Sequence, residues 1–305
     1  MLTSTIACVT PRVLLQAPEA PVHNRYLGLS ETRSPGETRS PAEGCSSPAG
    51  LHRRPWLERL RRAIAEDLFE LHYQPIVPLR DRRGNGGASH YEALVRLADE
   101  PDGRLVAPGR FLPAAERYGL IRDIDRMVLG KVLALLGSEH AQSGVSIAVN
   151  LSALSITDEN MLADIEKGLA LAGVDPGRLI VEITETASIS DMERARRFCA
   201  GLQTLGSAVA LDDFGAGFGS FQYLKNLPFR YLKIDGDFIR ALPRSPNDQL
   251  VVKALVGVVR GMGAMTIAEF VGDEETLTLL RGYGVDYAQG FAVGRPQPAP
   301  VAVAA

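Results

Sequence analysis

Cysteine is scarce in this 305-residue chain: Cys8, Cys45 and Cys199 are the only three. An odd, widely spaced set makes neither a disulfide framework nor a zinc-ligand pattern, and it points to reduced thiols in a cytoplasmic protein. No apolar run approaches the roughly 18 residues of a membrane-spanning helix. The start, Met1 to Pro11, has no basic stretch followed by an apolar one, so no signal peptide is expected. A surplus of either charge is also missing, with 33 basic residues against 36 acidic ones. That balance removes the electrostatic case for duplex nucleic acid or an anionic membrane. What remains is a chain that is 46% apolar, long enough for one large domain with a tail or for two domains.

Residues 1–54 differ from everything after them. They are rich in Pro, Ser, Gly, Thr and Glu, and they contain a short repeat, Gly-Glu-Thr-Arg-Ser-Pro at 36–41 after Glu31-Thr32-Arg33-Ser34-Pro35. Such composition buries too little apolar surface to offset ordering entropy, so a disordered tail is expected. An ordered domain is expected over 55–297, with a flexible end over 298–305.

Within the domain the hydrophobic period alternates. Trp56, Leu57, Leu60, Ile64 and Leu68 recur at helical spacing behind Pro55. Strands are expected at 71–77, 90–97, 145–150, 179–184, 208–212, 231–234, 264–268 and 286–288. The link over 78–88 is short, polar and glycine-rich, too short for a parallel crossover, so the first two strands are expected to be antiparallel. The later strands alternate with helices at 110–118, 123–136, 158–172, 190–205, 219–226, 246–262 and 273–282. This rhythm predicts a (β/α)8 TIM-type barrel with an antiparallel first strand. The rival, a doubly wound sheet, lacks a Gly-x-Gly-x-x-Gly after the first strand.

The acidic residues then fall into a pattern. Val209-Ala210-Leu211 runs into Asp212 and Asp213, two adjacent carboxylates that repel unless something cationic sits between them. Glu92 lies in the second strand, Asn150 ends the third, Glu182 is near the end of the fourth, Lys233 is in the sixth, Glu269 follows the seventh and Gln289 follows the eighth. Barrel active sites lie at these C-terminal strand ends. The carboxylates and the Asn150 amide make an all-oxygen set, which suits Mg²⁺ or Mn²⁺ and not zinc. Adjacent aspartates let one carboxylate bridge two ions, the arrangement that supports in-line attack on a phosphodiester. Lys233 is placed to orient water or to neutralise developing charge. Taken singly, Glu92 with Arg96 could be an exposed strand pair, Lys233 with Asp235 a barrel ion pair, and Asn150 with Ser152 turn chemistry. Six successive strand ends carrying such residues favour a site.

These residues also carry a family resemblance. Glu92-Ala93-Leu94-Val95-Arg96, Val149-Asn150-Leu151-Ser152, Glu182-Ile183-Thr184-Glu185, Asp212-Asp213-Phe214-Gly215, Leu232-Lys233-Ile234-Asp235 and Gln289-Gly290-Phe291 resemble the motifs of EAL-domain cyclic di-GMP phosphodiesterases. The resemblance implies hydrolysis of cyclic di-GMP to the linear dinucleotide pGpG with two Mg²⁺ or Mn²⁺ ions. One ion would take Glu92, Asn150, Glu182 and Asp212; the other would share Asp212 and take Asp213 and Glu269. Lys233 would hold the attacking water, Glu185 would brace the loop after Asp213, and Gln289 would complete the site. Gln74, Leu94, Arg96, Asp125 and Phe270 would contact the dinucleotide. The resemblance also suggests homodimers coupled to the loop after Asp213, and an upstream signalling partner that the motifs do not identify. Departures are Phe270 and Gly272, where the family often has glycine and glutamate, and Ala216 and Gly219, where threonine and serine are frequent. The alternative to hydrolysis is a catalytically weak cyclic di-GMP receptor or scaffold. A sugar-acting or carboxylyase barrel using one Mg²⁺ would need fewer acidic ligands.

Overall fold

The parallel strands of this chain are apolar on both faces, a pattern that needs cover on both sides of a sheet. A closed barrel provides it. The computed structural model describes residues 56–80, 90–99, 103–138, 144–184, 189, 191–215 and 220–300. The tail over 1–54, Glu185, the positions 216 and 219, and the chain end from 301 lie outside the described residues.

The first half comprises α1 (Trp56–Ala65), β1 (Phe69–Pro78), β2 (His90–Leu97), α2 (Pro108–Arg117), α3 (Ile121–Gly137), β3 (Ser146–Asn150), α4 (Ala153–Ile156), α5 (Met161–Ala172) and β4 (Leu179–Thr184). The second comprises α6 (Met192–Leu205), β5 (Ala208–Phe214), α7 (Ser220–Asn226), β6 (Tyr231–Ile234), α8 (Gly236–Arg240), α9 (Pro246–Gly261), β7 (Met265–Ala268), α10 (Glu274–Tyr283) and β8 (Tyr287–Gln289). The strands close in sequence order, β1 to β8. β1 is antiparallel to both β2 and β8, and the other pairs are parallel. The expected barrel and its reversed first strand are therefore present.

Three details differ from the sequence reading. β5 runs through Asp212 and Asp213 to Phe214, and Gln289 lies inside β8. α4 and α8 were not expected, because four and five residues are too few to display a helical period. Leu68 lies beyond α1, because the helix stops before Asp67, whose φ is 54°.

Successive strand residues face opposite sides, so every second residue points into the barrel. Ile76, Ala148, Ile180, Ala210, Tyr231 and Ile267 form one apolar interior cluster. Two residues further along β3, β4, β5, β6 and β7 stand Asn150, Glu182, Asp212, Lys233 and Glu269. One step along the pleat thus changes an apolar layer into a charged one. The outward faces pack against the helices in the larger clusters, around residues such as Val149, Val181, Val209 and Leu232.

The β1–β2 pairing runs from Ile76↔His90 to Phe69↔Leu97, whereas β3 pairs only with residues His90 to Ala93 of β2. Leu94 to Leu97 therefore extend past the barrel at its C-terminal face. α1 is tied to this extension by Arg59, whose Nε lies 2.6 Å from the buried Asp99. At the other rim position, a Cβ on Gly290 would sit 2.2 Å from the backbone nitrogen of Val271, so the β7 and β8 loops meet only because that residue is glycine.

Candidate metal centre

Lys233 is fully buried, and its ammonium is ringed by carboxylates. Nζ lies 3.2 Å from Glu92 Oε2, 2.9 Å from Glu182 Oε2, 3.0 Å from Asp212 Oδ1 and 2.9 Å from Glu269 Oε1. These partners come from β2, β4, β5 and the end of β7, so only barrel closure assembles them. Around the ring, Gln289 Nε2 donates to Glu92 Oε2 at 2.6 Å and to Gln74 Oε1 at 3.3 Å. Asn150 Nδ2 donates to Glu92 Oε1 at 2.7 Å.

Adjacent residues of a regular strand point apart, yet Asp212 and Asp213 share this site. The reason is local. The β5–β6 register shifts between Leu211 and Phe214, and Asp213 has φ 56°. A left-handed non-glycine residue in a bulged strand re-aims its side chain. Phe270, directly after Glu269, is also left-handed, with φ 52°. Both unusual backbones therefore adjoin the same group of acids.

Two triads of carboxylates, Glu92–Glu182–Asp212 and Asp212–Asp213–Glu269, each bring one oxygen per residue within 4.8 Å of the others. Asp212 belongs to both. Each triad also holds one buried carboxylate oxygen with no hydrogen-bond partner, Glu182 Oε1 in the first and Glu269 Oε2 in the second. Such an oxygen is costly unless a cation or proton reaches it. All the donors are oxygens, the set that hard divalent ions prefer. The acidic cluster therefore fits a metal.

The electrostatics agree. Burial, opposed by Lys233 and reinforced by the other acids, raises Glu182 and Glu269 well above the usual carboxylate range. Burial also raises Asp212, against the pull of Lys233. Burial and then the Asp212 charge push Asp213 up to about 7. Glu92 is the exception: burial pushes it up, but Lys233, Gln289 and Asn150 together hold it below its ordinary value. For Lys233, burial would lower the pKa, yet Asp212, Glu182, Glu269 and Glu92 outweigh it and hold the ammonium protonated.

Of the single-residue alternatives, turn chemistry is seen at Ser152, whose Oγ caps α4 by accepting from the Ser155 N–H at 3.2 Å, but the exposed Glu92–Arg96 strand pair is not. Glu92 is buried in the ring, while Arg96 Nη1 donates to the Val95 carbonyl at 2.9 Å. Asp235 caps α8 by accepting from the Asp237 N–H at 2.7 Å. Of the residues assigned to substrate, Leu94 and Arg96 lie on the projecting part of β2, and Gln74 is bonded to the site through Gln289. Asp125 is set apart. Its Oδ2 accepts from Ser152 N, Ser152 Oγ and Ser155 Oγ at 3.0, 2.7 and 2.6 Å, which ties α3 to α4. Phe270 is 40% exposed, with its ring over Gly236 and the Arg240 guanidinium 4.1 Å from its centroid. Arg240 has no local sequence signal; its place beside Phe270 follows from the short helix α8 that carries it. Cys199 is buried, and its thiol is pushed up to about 12 by desolvation, so it is chemically quiet.

Fold and site together define a (β/α)8 barrel with an oxygen-lined cation cradle at its C-terminal face. The chain belongs to the EAL domain family, whose model matches residues 57–296. It is 40% identical over 247 residues to the cyclic di-GMP phosphodiesterase PdeB of Shewanella oneidensis, an alignment that covers 80% of this chain and 28% of that protein. The chain spans less than half the length of the curated relatives that it matches. Among solved structures it is similar to the FimX EAL domain from Pseudomonas aeruginosa bound to c-di-GMP, with a TM-score of 0.73, 31% identity, and 81% of this chain and 98% of that one covered. It is also similar to the PaMucR phosphodiesterase in its c-di-GMP complex, with a TM-score of 0.72, 35% identity, and 80% and 98% covered. Among the described residues no helix is long and apolar enough to cross a membrane.

Proposed function

We propose that this barrel is a cytoplasmic two-metal phosphodiesterase that hydrolyses cyclic di-GMP to pGpG. The observation that carries the reading is the pair of carboxylate triads sharing Asp212, each with an unpartnered buried oxygen. Glu92, Asn150, Glu182 and Asp212 would hold one ion, and Asp212, Asp213 and Glu269 the other; Mg²⁺ and Mn²⁺ both suit the donors. When bound, the ions supply Lewis-acid stabilisation of the attacking and leaving oxygens.

The chain's own groups do the rest. Water attacks phosphorus as one P–O ester bond breaks, and the departing ribose oxygen takes up a proton. The Lys233 ammonium lies against Asp212 and Glu269 and is assigned to hold that water, and its positive charge would favour the anionic transition state. Gln289 bridges Glu92 and Gln74, so it fixes the metal-side carboxylate and the strand beside it. Glu185 is assigned to bracing the loop after Asp213. Leu94 and Arg96 lie on the part of β2 that extends past β3, and they are assigned to a base and a phosphate of the dinucleotide. Phe270 adds the aromatic surface at the β7 rim, and Asp125 is assigned to a guanine edge.

The test is product analysis by chromatography, with cyclic di-GMP in Mg²⁺, Mn²⁺ or Ca²⁺. Linear dinucleotide formed in Mg²⁺ or Mn²⁺ supports the reading. Tight binding with no product in Mn²⁺ establishes the second reading, a receptor, which Gly272 in the β7 loop favours. We also infer a homodimer. Leu250 and Val258 of α9 and Met262 at its C-terminal cap are 69%, 45% and 48% exposed, apolar surface that supports self-association. A single monomeric species in sedimentation velocity at micromolar protein would end that inference.

A further inference from the structure

We propose that Lys233 is the resident counter-ion of the carboxylate ring, and that divalent ions load only by displacing it. This rests on the metal-binding part of the function above and extends it to how the site fills. An ammonium has three N–H donors, yet Lys233 is shared among four carboxylates at 2.9 to 3.2 Å. It touches all three acids of the first triad and two of the three in the second. A cation cannot enter either triad without lying against this buried charge, and charges at such distances interact strongly out of water.

The oxygens divide accordingly. Lys233 takes Oε2 of Glu182 and Oε1 of Glu269, and the unpartnered oxygens are the other one of each pair. Those two atoms are the landing points for incoming ions. Mg²⁺ needs oxygens at about 2.0–2.1 Å, well inside the ammonium distances, so the ring must close as the lysine yields. The flexible four-carbon stem is what would carry that movement. Lys233 thereby has two roles in the metal-free ring. It keeps the acids together before metal arrives, and it raises the ion concentration at which the site fills.

The full chain, stripped with chelator, is titrated calorimetrically with Mn²⁺ and Mg²⁺ as wild type and as Lys233→Met. The expected result is metal affinity about tenfold or more higher in the variant, together with a lower Tm in chelator that recovers on metal addition. Equal or weaker binding by the variant overturns the proposal while leaving the metal site standing. Absence of binding by the wild type overturns both. Cyclic di-GMP is not used, so failure of the hydrolase reading does not disturb this readout. Should the variant not fold, ¹⁵N-lysine wild-type protein replaces it. Mg²⁺ is then expected to shift the Lys233 Nζ resonance and speed its proton exchange, and an unchanged resonance at saturating Mg²⁺ overturns the proposal.

Discussion

The two ends of the barrel interior are filled by opposite means. At the C-terminal end, acids from four elements converge on one lysine. At the N-terminal end, His90 is packed between Tyr231 and Tyr287, with ring centroids 5.3 and 4.9 Å away, and the two tyrosines are 5.9 Å apart. Neither His90 nitrogen has a hydrogen-bond partner. The same inward-facing pleat positions serve both ends, so geometry does not separate them; chemistry does. The aromatic end gains stability from contact. The acidic end is held against repulsion, which is where cation binding and catalysis can be located.

Four substitutions would break or sharpen this contrast. The largest effect is expected for Glu182→Gln. Its charged form is disfavoured by burial, so the neutral amide should leave the urea midpoint unchanged or raised, while turnover of cyclic di-GMP falls on the order of a thousandfold. A lowered midpoint would show that the acidic end is stabilising after all. Tyr231→Ala should do the reverse, costing about 3–5 kcal/mol in urea unfolding with Mn²⁺ affinity unchanged in the folded protein. Weakened metal binding there would mean that the two ends are coupled.

His90 gives the contrast a pH dependence. Burial, and then the Arg230 charge, lower it from 6.5 to about 4, and Tyr231 and Tyr287 face its ring. The native state therefore binds fewer protons than the unfolded chain between those values. Its contribution is fully present above the unfolded pKa and is lost as pH falls through this window, by about 3 kcal/mol at most. His90→Phe should remove that loss, so its stability advantage over the parent must grow between pH 7 and pH 4. A constant difference in denaturation midpoints would contradict the assignment. The smallest effect is expected for Phe270→Gly. Relief of the left-handed backbone, about 1 kcal/mol, opposes the lost contacts with Gly236 and Arg240, so stability should barely move while KM rises several-fold. A destabilisation above about 2 kcal/mol would make the ring structural instead.

Much of this was legible because it is local. Strands such as Leu179–Thr184 show their apolar period, and the residues at their C-terminal ends, Asn150, Glu182 and Asp212, follow from counting along the pleat. The reversal of β1 followed from a link too short for a crossover. The short helices α4 and α8 were not legible, since a single turn has no period to read. Asp125 shows the same limit from another side. The family resemblance implied a contact to the dinucleotide, and only the packing of α3 on α4 reveals the three donors on Oδ2.

By itself the sequence determined the barrel, its antiparallel opening strand and the set of acids at the strand ends, because alternation and strand order are properties of short segments. Tertiary structure decided the rest. It placed Lys233 among four carboxylates from strands far apart in the chain, a contact that exists only once the sheet closes. It turned Asp213 to the side of Asp212 through a bulge and a left-handed backbone that local preference disfavours. It brought the acids together as two triads meeting at Asp212, the division that the family resemblance implied. Residue identity set which charges were available, and closure of the barrel set which of them had to share one cation.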